Sequence, residues 1–294
     1  MQRMERPSRT GLIALLIAAE VVIAGFALYA LRGTTGIVSA SGGFHHVDYS
    51  APGTIASIAA GLSPAITIDD VDSGVTVTPS NDGLVHVTDR TEAHGFILGG
   101  GDIPRPVVTR TIDGVRITRA GGHSFGVAMG WSRQHMDIEV PAASRITIVH
   151  CSGAHISGIR NDITAHSVDG RIVGDDLTAN ALDLSSDDGR IELSNVAFNG
   201  FAPHATLHTN DGPVIVSGVF PARGSYALST GDGRIELTLQ QGSDVSVDAS
   251  TADGHVTVDG HRDAGQPIRA GSGNASMRVR SEDGSVHIIT NGAQ

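Results

Sequence analysis

The sequence predicts an all-β domain, an elongated β-solenoid or β-roll-like repeat that follows one N-terminal transmembrane helix. Three observations support this fold class. Apolar and polar residues alternate in short runs from residue 65 onward, the period of a strand with one buried face. A polar-Gly turn recurs about every twenty residues in the second half, a spacing typical of repeat architectures. The chain is 40% apolar but only 4% aromatic, as expected when stacked coils bury Val, Ile and Leu against one another.

A membrane span is predicted at residues 11–31, GLIALLIAAEVVIAGFALYAL. As a helix this segment would cover roughly 31 Å, which matches the hydrocarbon core of a bilayer. Glu20 lies in its middle, but the aliphatic residues around it supply more insertion free energy than one carboxylate costs. A cleaved signal peptide ending near residue 40 is the alternative, although its apolar stretch would be unusually long.

The charges around the span predict its orientation. Residues 1–10 carry three arginines against one glutamate, so the positive-inside bias predicts a cytoplasmic tail and an exported remainder. Residues 32–44 are rich in small and hydroxyl side chains and are predicted to form a flexible tether. The exported part is acidic and should be soluble.

Residues 45–150 are predicted to form an irregular N-terminal β region. Runs such as AITIDDV and RITIVH are bounded by Gly, Asp, Asn or Pro, and no long stretch with a period of 3.6 residues interrupts them. The short apolar patch Thr54–Leu62 fits either a first strand or one or two helical turns, and periodicity does not decide between them.

Residues 151–290 are predicted to form the β-strand repeat, with two strands in each unit. Leu182 and Leu184 before one turn and Ile191 and Leu193 after it exemplify the aliphatic columns that would stack. We expect the turn glycines to adopt a positive φ, and the turn aspartates to bond the backbone. The turn glycines are Gly153, Gly170, Gly189, Gly212, Gly233, Gly254 and Gly284. Because Asp-Gly is also a hairpin signal, an antiparallel β-sandwich or meander is the alternative.

Composition excludes several classes of protein. One cysteine cannot form an intrachain disulfide, so packing and backbone pairing must stabilise the fold. The 31 acidic residues outnumber the 20 basic ones, which argues against nucleic acid as a partner because a phosphate-binding surface needs excess positive charge.

The series of turns and strands from SGAHISGI to EDGSVHI, entered through DIEVPAASRITIVHCSG, resembles the bacterial putative-adhesin family of β-strand repeat proteins. This is a domain of unknown function found in exported, often membrane-anchored, envelope proteins. The resemblance covers residues 65–290. It implies an all-β exported domain with an adhesive or envelope-associated role, and it supplies no catalytic residues to carry over.

One pentapeptide resembles a catalytic motif. Gly122-His123-Ser124-Phe125-Gly126 matches the G-x-S-x-G elbow that exposes a nucleophilic serine between a strand and a helix. The segment that follows predicts another strand instead of a helix. We therefore interpret Ser124 as part of a glycine-rich loop, with ester hydrolysis as a minor hypothesis.

Fourteen histidines invite a metal hypothesis. The closest groupings are His45 with His46, His150 with Cys151, and His204 with His208. Spacing alone is a weak metal signal, and His204 and His208 would share one side of a strand. We interpret the histidines as surface or strand residues and predict no metal site.

The turn aspartates recur once per unit and would repel one another at the spacing of neighbouring strands. Calcium could offset the repulsion, as could the adjacent Arg171, Arg190 and Arg234 without any ion. The turn acids are Asp169, Asp188, Asp211, Asp232, Asp253 and Asp283. The turns lack an EF-hand pattern, and no cofactor is predicted.

Cys151 is expected to be a buried small residue, with intermolecular pairing as the minor alternative.

The predicted function is that of a membrane-anchored, extracytoplasmic adhesin or envelope-associated binding module without enzymatic activity. Its partners would be the membrane, through the N-terminal helix, and an envelope polymer or a surface protein. The alternative is a regulatory protein in envelope-stress signalling, in which Glu20 pairs with a partner helix inside the membrane.

Overall fold

The computed structural model describes residues 44–51, 53–70, 73–98, 105–119, 127–262 and 268–291. The predicted tail, membrane span and tether up to residue 43, with Glu20, lie outside these residues. Among the described residues the regular structure is all β-strand. No helix in this part of the chain has the length and apolar character needed to cross a membrane.

The described strands in chain order are β1 Phe44–Ser50, β2 Gly53–Ile58, β3 Ala65–Asp69, β4 Gly74–Pro79, β5 Val85–Asp89, β6 Glu92–Leu98, β7 Pro106–Arg110, β8 Gly114–Arg119, β9 Val127–Arg133, β10 His135–Val140, β11 Arg145–His150, β12 Gly153–Ser157, β13 Ile163–Ser167 and β14 Ile172–Asp175. The remaining strands are β15 Thr178–Ala179, β16 Ala181–Ser186, β17 Ile191–Phe198, β18 His204–Thr209, β19 Val214–Val219, β20 Ser225–Thr230, β21 Ile235–Leu239, β22 Val245–Thr251, β23 Val256–Val258, β24 His261–Arg262, β25 Ile268–Ala270, β26 Ala275–Ser281 and β27 Val286–Thr290.

These strands form three sheets. Sheet A is a small antiparallel sheet in the order β1-β6-β9. Sheet B follows the order β2-β5-β10-β4-β12-β14-β17-β19-β21-β27-β23-β24, with β15 beside β17. Sheet C follows the order β25-β22-β26-β20-β18-β16-β13-β11-β3-β8-β7.

The repeat region is a two-sheet β-solenoid. From β11 onward each coil contributes a strand to sheet C and then, after a turn, a strand to sheet B, and equivalent strands of neighbouring coils pair in parallel. Ile163 pairs with Leu182, and Ile172 with Ile191. The prediction of two strands per unit with stacked aliphatic columns is confirmed, and the antiparallel alternative is wrong for this region. Antiparallel pairs occur in sheet A and at the two ends of sheets B and C.

The core lies between the inner faces of sheets B and C. Strand β16 shows the pattern: Leu182 and Leu184 are buried, and the residues between them face outward. Almost every buried apolar side chain in the coils is Val, Ile, Leu or Ala. Since each coil is thin and covers the next, these aliphatic residues are enough to fill the interior.

The spatial order of the coils departs from chain order at the C-terminal end. The last coil, β26 with β27, lies between the coil of β20 and β21 and that of β22 and β23. The coil of β22 and β23 is therefore the outer one, although β26 and β27, which lie beneath it, come later in the chain. At this end of the stack, neighbouring coils are therefore not consecutive in the sequence.

The N-terminal region joins the same stack. Strands β3 and β4 pair in parallel with β11 and β12, so residues 65–79 form a coil directly beside the first predicted repeat unit. The patch Thr54–Leu62 overlaps strand β2, which pairs antiparallel with β5 at the edge of sheet B. Of the two structures considered for this patch, the strand is the one formed.

Candidate functional site

The turns that connect sheet C to sheet B form one long edge of the solenoid, which we call the turn edge. Its glycines touch the backbone of the adjacent coil: a Cβ on Gly212 would lie 2.0 Å from the carbonyl oxygen of Gly189, and one on Gly233 would lie 2.0 Å from that of Gly212. None of the six turn glycines from Gly170 onward has a positive φ. For these six glycines the predicted conformational role is therefore wrong, and close approach between coils is the reason for glycine.

A ladder of buried hydroxyl groups, which was not predicted from the sequence, runs beside these glycines. Thr209 Oγ1 donates to the carbonyl of Gly189 at 2.8 Å and accepts from the amide of Gly212 at 3.2 Å. Thr230 makes the equivalent pair of bonds one coil further on. The signal in the sequence is a serine or threonine three residues before each turn glycine, at Ser167, Ser186, Thr209, Thr230, Thr251 and Ser281. The motif of the turn edge is thus [ST]-x-Asp-Gly.

The six turn aspartates are exposed to solvent along this edge. Arg190 and Arg234, predicted as their counter-charges, pair instead with Glu192 and Glu236, two residues further along sheet B. Within the described residues no cluster of three or more His, Cys, Asp or Glu side chains could hold a metal ion. Because these carboxylates are exposed, solvent and dissolved salt screen their mutual repulsion.

The outer face of sheet C carries several predicted histidines in one column. His150 Nδ1 lies 3.1 Å from Asp69 Oδ1, and the rings of His150 and His166 meet edge to face at 5.9 Å. His208 Nδ1 lies 2.9 Å from Ser229 Oγ. His204 and His208 share the exposed side of β18, as predicted from strand geometry. His46 is exposed on β1. The side chain of His45 is not among those that the structure describes.

The outer face of sheet B has a shallow groove of about 530 Å³. Its polar walls include His135, His155, Arg171, Asp175 and Glu192. His155 Nε2 lies 2.9 Å from Asp175 Oδ2. Hydrogen bonding from Ser194, aided by His155, holds the pKa of Asp175 below its usual range. This groove therefore presents an ionised carboxylate beside imidazole and guanidinium donors.

Cys151 is fully buried in the core, as expected, with Sγ 3.5 Å from the carbonyl oxygen of His166. Burial raises the pKa of this thiol above its ordinary value, so the thiolate is scarce at neutral pH.

We predict that Cys151 in the folded protein reacts with a thiol reagent such as Ellman's reagent at least tenfold more slowly at pH 8 than after unfolding in guanidinium chloride, because both access and ionisation are suppressed. Time-resolved absorbance measures both rates. Equal rates in the two states would contradict the burial of this side chain.

A buried ionic cluster joins three separate segments at the N-terminal end of the stack. Arg119 Nε lies 2.7 Å from Asp70 Oδ2, and Arg119 Nη2 lies 3.5 Å from Asp89 Oδ1. The three side chains are at most 3% exposed. Asp89 also accepts hydrogen bonds from the amide and the hydroxyl of Thr91. No local motif predicts this cluster, because its members are far apart in the sequence.

The elbow-like pentapeptide, with Ser124, falls at residues 122–126 and outside the described residues. The hydrolysis hypothesis is therefore left untested by the geometry of the protein.

Two solved structures are similar to this chain. A putative cell adhesion protein from Clostridium sporogenes ATCC 15579 is similar over 85% of this chain and 100% of its own, with 11% identity and a TM-score of 0.38. A putative adhesin from Bacteroides fragilis NCTC 9343 is similar over 84% of this chain and 97% of its own, with 15% identity and a TM-score of 0.35. The curated proteins contain no significant match. The model of the Toastrack DUF4097 family matches residues 57–292, which is most of the chain, and the protein therefore belongs to that family.

Proposed function

We propose that the protein is a membrane-anchored binding module outside the cytoplasm, an adhesin or envelope-associated protein without catalytic activity. The observation that carries this proposal is the in-register stacking of the coils, which repeats exposed polar side chains along two sheets at intervals of about 4.8 Å. A surface of this kind offers many equivalent weak contacts to a long partner, and such contacts add up through multivalency.

The polar groups of the outer faces support binding in preference to chemistry. The His150–Asp69 pair is almost half exposed, with 43% of each side chain accessible. The groove on sheet B is similarly open, since it lies on the face of a sheet and has no covering element among the described residues lining it. Catalysis depends strongly on groups fixed in a water-excluded site, whereas an open polar surface suits recognition of a hydrated partner.

The anchor in this proposal is the predicted helix at residues 11–31, with the tail at 1–10 in the cytoplasm and the tether at 32–44 leading to the β domain. An envelope polymer or a surface protein would be the partner. Residues 33–294, at a net charge of −13 from 29 acidic and 16 basic residues, favour partners that are uncharged or basic over nucleic acid.

The first test is binding of the full-length chain, in detergent micelles, to fractionated cell envelope with and without calcium. We expect saturable binding to one fraction. Dependence on calcium would implicate the turn aspartates. Binding to no fraction would contradict the proposal and favour the signalling alternative, in which Glu20→Leu should abolish a transcriptional response. Protease protection of the β domain in intact spheroplasts would separately contradict export.

A further inference from the structure

A notch of about 660 Å³ lies where the outer face of sheet C meets the turn edge. It sits over the coil of β20 and β21, beside the inserted C-terminal coil. Ser229 and Gly231 form its floor between His208 and Asn210 on one side and a ridge of Arg280 and Glu282 on the other, and its lining continues past that ridge to β22. Every one of these residues belongs to the repeat.

The notch exists because its floor is made of the smallest outward residues. His208 pairs with Ser229 across one strand spacing, and Ser229 pairs with Arg280 across the next. The two walls therefore stand on strands about 9.6 Å apart, twice the inter-strand distance. A Cβ on Gly231 would lie 2.6 Å from the carbonyl oxygen of Asn210. The floor at that position is therefore held open by a backbone contact.

The inserted coil supplies one wall. If the coils followed chain order, β22 would lie beside β20 and would place Ser250 and Ala252 next to the floor. Because β26 is inserted between them, Arg280 and Glu282 form a ridge with small residues on both sides. The unusual topology of the C-terminal end thus creates the notch.

The groups in the notch both donate and accept hydrogen bonds. His208 is held in place by contacts of 2.9 Å to Ser229 and 3.1 Å to Asn210. Arg280 offers a fork of N–H donors, while Glu282, Asp211 and Asp232 offer carboxylate acceptors. An anionic ligand would face these three acids, and a cationic ligand would face Arg280. A ligand rich in uncharged hydroxyl groups avoids both conflicts, because each hydroxyl can donate to a carboxylate and accept from a guanidinium.

We propose that the notch is a subsite for a neutral glycan, one polyhydroxylated residue of which sits over Ser229 between His208 and Arg280. This inference rests on the proposed binding function and names the class of polymer that the module recognises. Arg280 donates to the ring or hydroxyl oxygens, and Asp232 and Glu282 accept from the hydroxyl groups. The lining of this notch contains no Phe, Tyr or Trp, which makes hydrogen bonds, direct or through water, the main contacts.

The test uses the full-length chain in detergent on an array of immobilised dextran, β-glucan, mannan and chitooligosaccharides, with dextran sulfate and polylysine as charged probes. We expect binding to at least one neutral glycan. Ser229→Trp should fill the notch, and Arg280→Gln should remove its main donor, each weakening binding about tenfold or more. Ser225→Trp and Arg278→Gln are matched controls, since they lie on the same exposed faces of β20 and β26 but outside the notch. Both controls should bind like the unmodified protein.

Three outcomes would overturn the inference: retention on none of the neutral glycans, retention on a charged probe alone, or equal weakening by a variant and its control. Arg280→Gln keeps the test decisive if Ser229→Trp lowers the melting temperature. If the Ser229→Trp and Arg280→Gln proteins bind envelope fractions as the unmodified chain does, the result supports the proposed binding module and contradicts a glycan site in the notch. If the unmodified chain binds a neutral glycan but no envelope fraction, the result supports the glycan site in the notch and contradicts the envelope-associated function.

Discussion

Replacing Gly212 with alanine is expected to lower the free energy of unfolding by about 3 kcal/mol or more, because the new methyl group would meet the backbone of the neighbouring coil. The added Cβ would lie 2.0 Å from the carbonyl oxygen of Gly189. That oxygen also accepts the hydroxyl hydrogen bond of Thr209 at 2.8 Å. Separating the coils to relieve the contact would therefore also disrupt the buried hydroxyl ladder. Urea unfolding followed by circular dichroism measures the effect.

Gly83 is the matched control for this prediction. It has a φ of +74° and nothing within 4 Å of its added Cβ, so Gly83→Ala tests the conformational effect alone, at roughly 1–2 kcal/mol. We expect Gly212→Ala to be clearly the more damaging. If the two variants lose the same stability, contact between coils is not the reason for glycine at the turn edge.

The sequence predicted the repeat because its signal is local. Leu182, Leu184, Ile191 and Leu193 show the alternation of two strands around one turn, and the parallel stack follows from repeating that unit. The order of the coils was not predictable in this way. Thr251-Ala252-Asp253-Gly254 and Ser281-Glu282-Asp283-Gly284 carry the same motif, so either coil satisfies the ladder beside β20 and β21. A local sequence pattern therefore cannot determine which of these two coils lies beside β20 and β21.

The candidate site shows the same division. Because side chains alternate along a strand, the sequence predicts that His204 and His208 lie on the same side of β18, and the structure confirms this prediction. The notch does not follow from any local pattern, because it depends on Arg280 lying next to Ser229, and that neighbour is fixed by the inserted coil. Side chains that meet through non-local pairing leave no periodic trace in the sequence. The turn arginines are a different case, because their partners Glu192 and Glu236 lie only two residues further along the chain, where the period of a strand places them on the same face.

Replacing Arg119 with methionine should be the most destabilising change of a charged residue in the described part of the chain, at about 3–5 kcal/mol. Methionine fills similar volume but leaves the Asp70 and Asp89 carboxylates buried at the N-terminal end of the stack without their shared cation. Two buried negative charges then face each other across sheets B and C, and neither can reach water easily. Because Asp70 follows β3, Asp89 ends β5 and Arg119 ends β8, we expect this end of the solenoid to open first. Hydrogen exchange should show lost protection in β3, β5 and β8 before β18 and β20.

Two further variants separate charge from packing in this prediction. Arg90 pairs with Asp137 on the surface, with 65% and 31% of their side chains exposed, so Arg90→Met should cost less than about 1 kcal/mol. The triple change Arg119→Met, Asp70→Asn and Asp89→Asn removes all three buried charges and should be more stable than Arg119→Met alone, since no uncompensated charge is left in the interior. A triple variant less stable than the single one would mean that Asp70 and Asp89 stabilise this end through contacts that do not need Arg119, and the ionic cluster would then not be the joint between the sheets.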